Sequence, residues 1–199
     1  MERKKIPGST VSLFSVNRLS NWFLQQKRVF PWRDSPTPYA VWVSEVMLQQ
    51  TRASVVISYF RKWMERFPCI PSLANASLEE VCKIWEGLGY YSRARNLHKG
   101  SRQVMQKGGE IPSSLKELRE ISGIGPYTAG AILNFAFHKK AAAIDANVER
   151  VMARYRGIEG DLKSSKNKKL LEEETLSFLP EEESWVVMEA LIELGALVC

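Results

Sequence analysis

Two acidic residues of this 199-residue chain interrupt apolar stretches, at Glu45 and at Asp145. Around the first, Val41 lies four positions before and Leu48 three positions after, so a helix would place the Glu45 carboxyl on an apolar stripe. Removal from water would raise the pKa of that carboxyl toward neutrality and make it usable as a general acid. A surface glutamate at the edge of the stripe, or a core glutamate tied to an arginine, is the alternative.

The second acid directly precedes a predicted helix that begins at Asn147. Upstream, residues 118–130 read Leu-Arg-Glu-Ile-Ser-Gly-Ile-Gly-Pro-Tyr-Thr-Ala-Gly. We expect Gly123 and Gly125 to adopt dihedral angles closed to other residues, so that amide N–H groups converge on one phosphate oxygen at the next helix. Such contacts would position a duplex without reading its sequence. An ordinary tight connection between two helices is the alternative.

Composition limits the class of protein. With 45% hydrophobic and 25% charged residues the chain is typical of a soluble globular protein, and its formal charge of +6 weakly favours a polyanionic partner. No apolar run approaches membrane-spanning length and the N-terminus lacks a signal-peptide core, so we expect an intracellular, cytoplasmic protein without a membrane partner. Three widely spaced cysteines, Cys69, Cys82 and Cys199, indicate reduced thiols.

Apolar residues recur at three- and four-residue spacing along most of the chain, which predicts an all-α fold. The predicted helices span 11–27, 39–51, 53–67, 78–88, 90–106, 115–121, 127–137 and 147–156. Ser77 with Glu80, and Ser114 with Glu117, have the spacing of capping boxes. The lysine-rich segment 163–169 is predicted to be a solvated loop or helix end. Core positions are assigned to Trp22, Trp42, Trp63, Trp85 and Trp185.

Six blocks, in this order, resemble the helix-hairpin-helix DNA glycosylase superfamily and, within it, the adenine DNA glycosylases of the MutY type. The blocks are residues 31–33, 44–51, 87–97, 118–130, 144–151 and 189–196. The resemblance implies one catalytic domain over 1–199 made of two helical lobes with a cleft between them. It places a six-helix lobe at 30–140 and a second lobe at 1–29 plus 141–199.

The resemblance also implies base excision repair, in which adenine mispaired with 8-oxoguanine or guanine is removed by hydrolysis of its N-glycosidic bond. Adenine leaves poorly until N7 is protonated, and the departing sugar is an oxocarbenium ion, so two carboxyls in opposite protonation states suit the reaction. Glu45 would be the acid, and Asp145 the anion that stabilises the cation or captures it at C1′. Tyr127 and Asn147 would support them by hydrogen bonding. The adenine must first leave the base stack.

Other positions take their expected roles from the family alone. Those expected to line the adenine pocket are Arg28, Trp32, Leu48 and Glu189. Gln50 and Tyr90 are expected to insert into the duplex near 8-oxoguanine, because a flipped base leaves a gap. DNA contacts are also expected at Gly123, Gly125 and Thr128. Outside the resemblance, the alternative for Trp32, Leu48 and Tyr90 is an ordinary core position.

Tyr127 bears on the type of reaction. Bifunctional relatives such as endonuclease III carry a lysine here, whose amine attacks C1′. A phenol in this place predicts base excision without efficient strand cleavage. The alternatives are a packed aromatic at Tyr127, an endonuclease III-like bifunctional enzyme for pyrimidine lesions, and a non-catalytic DNA-binding helix-hairpin-helix fragment.

Family members ligate a [4Fe-4S] cluster with four cysteines spaced Cys-x6-Cys-x2-Cys-x5-Cys, followed by a Nudix-like domain that reads 8-oxoguanine. Cys199 matches the first of these cysteines, whereas Cys69 and Cys82 match none. We therefore expect no stable cluster in this chain, and reduced affinity and lesion preference without the second domain. The expected partner is double-stranded DNA with adenine opposite 8-oxoguanine. A monomer is expected because one duplex needs one pocket and no heptad seam is present.

Overall fold

The structure of the chain, a computed structural model, describes residues 10–199, with side chains from Val16 onward. Within that range the secondary structure is helical and contains no strand, so the prediction of an all-α fold is confirmed. The elements are α1 (Thr10–Gln26), α2 (Pro31–Asp34), α3 (Pro38–Leu48), α4 (Ala53–Arg66), α5 (Ile70–Asn75), α6 (Leu78–Ile84), α7 (Ser92–Gln106), α8 (Leu115–Leu118), α9 (Pro126–Ala131), a π-helical segment (Ile132–Ala136), α10 (Ala146–Arg156), α11 (Ser165–Phe178) and α12 (Ser184–Leu197).

The described chain divides into two compact units. Val29–Phe137 form one, called here the hairpin unit because it contains the turn between α8 and α9. The described residues up to Arg28 form the other together with His138–Cys199, and this is called the terminal unit. Glu45 and Tyr127 therefore belong to the hairpin unit, and Asp145 belongs to the terminal unit.

The hairpin unit is built around α3, which packs against α4, α7, α9 and the π-helical segment. Every residue from Tyr39 to Met47 is buried, as expected for a helix that is apolar on all sides. Trp42, Trp63 and Trp85 are fully buried, as predicted, and Trp63 makes edge-to-face contacts with Phe67 and Trp85. The result is a rigid apolar setting for the few polar groups on α3.

The terminal unit packs α12 against both α1 and α10. Phe23, Val186 and Ala190 form one cluster of its core, and Trp22 and Trp185 pack against that cluster while remaining partly exposed. The assignment of these two tryptophans to the core is thus correct only in part. Both α11 and α12 lay outside the predicted helices, as did the short helices α2 and α5.

Several predicted helices end earlier or begin later than the apolar spacing suggested. The helix predicted over 39–51 ends at Leu48, and the one predicted from residue 90 begins at Ser92. Gln50 and Tyr90 have φ angles of 57° and 48°, which no right-handed helix accommodates. The serine side of both capping boxes is present, because Ser77 accepts from Glu80 N and Ser114 from Glu117 N.

The lysine-rich segment was expected to be a solvated loop or helix end. It leads into the first turn of α11, and Lys163, Lys166, Lys168 and Lys169 are exposed. The structure gives no disulfide to Cys69, Cys82 or Cys199. Among the described residues, no helix combines the length and the hydropathy needed to cross a bilayer.

Candidate functional site

The Glu45 side chain lies inside the apolar surroundings of α3. Only 7% of the residue is exposed, so the surface alternative is wrong. The hydroxyl of its neighbour Ser44 donates a hydrogen bond to Val41 O within the same helix. Tyr127, the second residue of α9, donates its hydroxyl to Glu45 Oε2 at 2.7 Å. The structure thus brings together two predicted site residues that are 82 positions apart.

Burial and this hydrogen bond act differently on the Glu45 carboxyl. Loss of water favours its neutral form, while a donor on one oxygen favours the anion and fixes the orientation of the group. Tyr127 is half-buried, so its ring contributes to packing while its hydroxyl reaches the carboxyl. Packing of the ring and hydrogen bonding by the hydroxyl therefore occur together at Tyr127, and its catalytic role stays a prediction.

The two glycines of the turn between α8 and α9 have different backbone conformations. Gly123 has a φ of 85°, and a Cβ there would lie 3.2 Å from Asn96 Cβ on α7, so a side chain would be strained and crowded. Gly125 has φ −85° and ψ −179°, an extended conformation open to any residue. The conformational expectation is therefore met at Gly123 and wrong at Gly125. Gln103 steadies the turn by accepting from Ser122 N at 2.7 Å.

Gly125 is the exposed N-cap of α9, and Pro126 begins the helix. Gly125 offers no side chain to cap this helix end with a hydrogen bond. Thr128 differs from both because only 1% of it is exposed. At this exposure neither its side chain nor its backbone N–H is accessible to a large partner. The exposed part of the turn is consequently backbone, which suits contact with phosphate.

Asp145 is the N-cap of α10, which begins at Ala146 rather than at Asn147. Its Oδ1 accepts from Asn147 N at 2.9 Å and from Val148 N at 2.8 Å. Its Oδ2 accepts from Asn147 Nδ2 at 2.7 Å. Three N–H donors at the N-terminal end of α10 therefore fix the orientation of the Asp145 carboxyl group.

Arg150 extends this network in a way the sequence did not indicate. Its Nη2 donates to Asn147 Oδ1 at 2.9 Å and to Gly195 O at 2.5 Å. Because a guanidinium can only donate, it turns the amide oxygen of Asn147 toward itself and the amide NH₂ toward Asp145. Arg150 is half-buried against α12.

Gly195 allows this close approach of α12 to α10. A Cβ at Gly195 would lie 2.5 Å from Asn147 Cβ and 2.8 Å from Asn147 Cα. No real side chain fits at such distances, so the glycine is required by packing and not by its dihedral angles. The sequence marked residues 189–196 as a family block without revealing this contact.

Arg28 and Glu193 form an ion pair within the terminal unit. Arg28 Nε and Nη2 lie 2.8 Å and 2.7 Å from Glu193 Oε2, and Glu193 is fully buried on α12. The sequence carried a signal for Glu193, because it too is an acid in an apolar helix, but only Glu189 was singled out. Glu189, one turn earlier on α12, is half-buried.

Trp32, Leu48, Gln50 and Tyr90 all lie in the hairpin unit and differ in exposure. Trp32 is 7% exposed, stacks on Phe30 and meets Phe60 edge to face, so it packs as a core residue. Leu48 ends α3 and is partly buried, whereas Gln50 is exposed. Tyr90 is 61% exposed, so a core position is wrong for it. These last two are free to meet a large partner.

Arg93 connects the turns that carry Gln50 and Tyr90. It is 8% exposed, and the sequence patterns predicted no role for it. Its guanidinium bonds to the end of α3 and to Leu88 O and Gly89 O. Burial lowers the pKa of Arg93 from its ordinary value, and the charge interaction with Tyr90 opposes that shift.

The residues described do not fit an iron-sulfur cluster. No group of three or more His, Cys, Asp or Glu side chains is placed to hold a metal in the part of the chain that the structure describes. Cys199 Sγ lies 2.7 Å from Arg154 Nη1. A [4Fe-4S] cluster needs a full set of thiolates, which the side chains around Cys199 do not provide.

Comparison with known proteins identifies related chains. Residues 43–181 match the HhH-GPD superfamily of base excision DNA repair proteins. An adenine DNA glycosylase of Rattus norvegicus is 43% identical over 95% of this chain and 38% of its own length. Another, from Buchnera aphidicola subsp. Baizongia pistaciae, is 39% identical over 94% of this chain and 54% of its length. The chain thus spans about half or less of these relatives.

The fold has a similar solved structure. A thermostable thymine-DNA glycosylase superposes with a TM-score of 0.86 at 28% identity, covering 94% of this chain and 87% of that one.

Proposed function

Because the chain belongs to the HhH-GPD superfamily of base excision DNA repair proteins, we propose that it releases adenine from double-stranded DNA by hydrolysing the N-glycosidic bond. The observation that carries the proposal is the buried Glu45 carboxyl on α3 with the Tyr127 hydroxyl 2.7 Å from Oε2. Both relatives named above are adenine DNA glycosylases, and the family match covers the residues that build this pair.

Glu45 acts as the general acid in this proposal. Its apolar surroundings favour a protonated carboxyl, and transfer of that proton to adenine N7 turns the base into a better leaving group. The C1′–N9 bond then breaks, and its electron pair leaves with the base. Tyr127 holds Oε2 in place, which leaves the proton on the other carboxyl oxygen.

Asp145 acts on the sugar. The sugar left by the departing base carries positive charge, and a fixed carboxylate stabilises that charge or bonds to C1′. Water then adds its hydroxyl group to C1′, displacing the Asp145 carboxylate where it had bonded, and its remaining proton returns to the Glu45 carboxylate, so the products are free adenine and an abasic site. Asn147 keeps the Asp145 carboxylate oriented through its 2.7 Å hydrogen bond, and Arg150 keeps Asn147 oriented.

The substrate pair is adenine opposite 8-oxoguanine or guanine, with adenine turned out of the stack. Gln50 and Tyr90 are exposed on neighbouring turns and are suited to enter the space that the adenine leaves. The backbone around Gly123 and Gly125 contacts phosphate and positions the duplex. Arg28, Trp32, Leu48 and Glu189 are proposed to line the adenine pocket.

The reaction ends at the abasic site because Tyr127 offers a phenol where a lyase needs an amine. The chain is therefore proposed to act as a monofunctional glycosylase and not to cleave the strand efficiently.

The test is product analysis under single-turnover conditions with purified chain and a duplex that contains one adenine opposite 8-oxoguanine. Chromatography should detect free adenine, and the DNA strand should break only after treatment with alkali. A matched duplex with thymine opposite guanine tests the activity named for the similar solved structure. Release of thymine but not of adenine, or strand breakage at the rate of base release, contradicts the proposal.

A further inference from the structure

Two exposed turns of the hairpin unit meet at one buried arginine. The first turn, residues 49–51, follows α3 and carries Gln50, while the second, residues 88–90, precedes α7 and carries Tyr90. Both Gln50 and Tyr90 have positive φ angles, 57° and 48°. Such a conformation costs a non-glycine residue about 1 to 3 kcal/mol and persists only where surrounding contacts hold it.

Arg93 provides those contacts. Its Nη1 donates to Val46 O at 3.0 Å, Met47 O at 2.8 Å and Gln49 O at 2.5 Å. Its Nη2 donates to Thr51 Oγ1 at 3.2 Å, Leu88 O at 3.2 Å and Gly89 O at 3.3 Å. The acceptors on the first turn flank Gln50, and those on the second directly precede Tyr90. One planar group thus fixes both turns at once.

The charge of Arg93 is balanced by dipoles. Among the described residues no carboxylate lies within ion-pairing distance of it, and its acceptors are carbonyl groups and one hydroxyl. Val46 O and Met47 O belong to the C-terminal end of α3, where helix carbonyls lack partners and carry partial negative charge. Arg93 also stacks against Trp85 and Tyr90, 5.3 Å and 5.4 Å from the ring centroids.

This geometry explains why the position requires arginine. The two terminal nitrogens of the Arg93 guanidinium carry four N–H groups, and six acceptors lie around them. Because the guanidinium is planar, these N–H groups point in fixed directions toward both turns. A lysine would keep the charge but offers one nitrogen with three donors, which cannot reach both turns together. Arg93→Lys therefore keeps the positive charge and loses the hydrogen bonds that join the two turns.

We propose that Arg93 is a positioning residue that holds the Gln50 and Tyr90 turns at a fixed separation and so sets how efficiently the protein opens a base pair. The inference rests on the proposed function, because it assigns the two turns to the duplex. Arg93 itself is buried and contacts no substrate, so its effect passes through the two exposed side chains. Glu45 directly precedes Val46 on α3, but its bond to Tyr127 on α9 involves no atom of Arg93, so we expect Arg93→Lys to leave that bond in place.

The experiment compares Arg93→Lys with the unaltered chain on two duplexes, one with adenine opposite 8-oxoguanine and one with adenine opposite an abasic-site analogue. On the paired duplex we expect a loss of about 10²-fold in the single-turnover rate, as misplaced positioning groups produce. On the duplex with the abasic-site analogue no base pair has to be opened, so we expect the loss in single-turnover rate to be at least tenfold smaller than on the paired duplex. Arg61→Lys on α4, at an exposed arginine, is the matched control.

A second readout does not depend on base release. 2-Aminopurine placed beside the target adenine should brighten on binding of the unaltered chain, and brighten less with Arg93→Lys. Combining Arg93→Lys with Tyr90→Ala should cost little more than the larger single loss, because both act at one step. Thr51→Val keeps the shape of the side chain and removes one of the six acceptors together with a 3.4 Å bond to Gln49 O, and should give the same pattern with a smaller loss.

Equal losses on the two duplexes would overturn the inference, since they indicate damage to the chemistry or to the fold. Unchanged 2-aminopurine brightening with Arg93→Lys would overturn it as well. If Arg93→Lys fails to fold, an equal loss on both duplexes with Thr51→Val serves as the contrary result. Failure of the proposed function is a different outcome, in which the unaltered chain releases no adenine from either duplex.

Discussion

The carboxyls of Glu45 and Asp145 are the same chemical group in opposite settings. Glu45 lies within an apolar helix with a phenol on one oxygen, whereas Asp145 caps the start of α10 with three N–H donors on its two oxygens. In the proposed function the first setting serves a proton donor and the second serves a fixed negative charge.

The largest effect on the rate is expected when the proton acceptor is removed from the substrate. With 7-deazaadenine, which has carbon in place of N7, the donor at Glu45 has nothing to protonate. We expect the unaltered chain to bind this duplex but to release the base about 10⁴-fold more slowly, the upper range of acid catalysis. Gel-shift titration and single-turnover chromatography check the two parts. Release within tenfold of adenine would remove the need for an acid at Glu45.

A pair of substitutions separates the two tasks of Asp145. Asn is as good an N-cap as Asp, so Asp145→Asn should leave the free energy of unfolding nearly unchanged while losing the charge and about 10²- to 10³-fold in rate. Asp145→Ala should lose the cap as well, at about 1 kcal/mol.

Ser164→Ala, at the N-cap of α11 in the same unit, is the matched control. It should lower the free energy of unfolding by about 1 kcal/mol with no change in rate. If Asp145→Asn keeps its rate, Asp145 is an ordinary cap and the comparison with Glu45 fails.

Gly195→Ala should disturb Asp145 and spare Glu45. The added methyl group would push Asn147 away from the position that orients Asp145. We expect a loss of about 1 to 3 kcal/mol in the free energy of unfolding from overpacking. The rate should fall about tenfold as the oriented groups shift.

Gly125→Ala is the control for unfolding only, because no atom lies within 4 Å of its Cβ position and its φ is negative. Denaturant titration should find it as stable as the unaltered chain. If Gly195→Ala has the same free energy of unfolding as the unaltered chain, then α12 can move to accommodate the methyl group and does not constrain Asn147.

The smallest expected effect concerns the phenol. Tyr127→Phe keeps the ring and removes the donor to Glu45 Oε2, so the carboxyl keeps its burial and loses one orienting bond. One hydrogen bond of about 1 kcal/mol corresponds to a rate about fivefold lower. Single-turnover rates on the adenine duplex provide the check. A loss as large as that of Asp145→Asn would make Tyr127 a chemical participant and not a positioning group.

Sequence patterns identified the two acids because an acid in an apolar run is unusual. The same signal at Glu193 was passed over, and there it marks an ion pair with Arg28. Helix α12 escaped prediction because it is apolar on nearly all sides, which hides the helical period. Asp145 also shows that an unusual acid has a structural reason, since it caps α10.

The backbone at Gln50 and Tyr90 was beyond sequence reasoning for another cause. Their positive φ angles are imposed by bonds from Arg93, which lies 44 positions from Gln49, and local spacing alone predicts continued helix there. Arg150 is similar, because its partner on α12 is 45 positions away. Long-range donors of this kind decide the ends of helices and the orientation of side chains, and they leave no local pattern.

The central claim, that Glu45 supplies a proton while Asp145 supplies a charge, is tested most directly by Glu45→Gln in single-turnover release of adenine opposite 8-oxoguanine. Glutamine keeps the shape and cannot protonate N7. The rate should fall by about 10²- to 10⁴-fold while duplex affinity and the free energy of unfolding stay the same. A rate within threefold of the unaltered chain, with binding intact, would contradict the assignment of the acid.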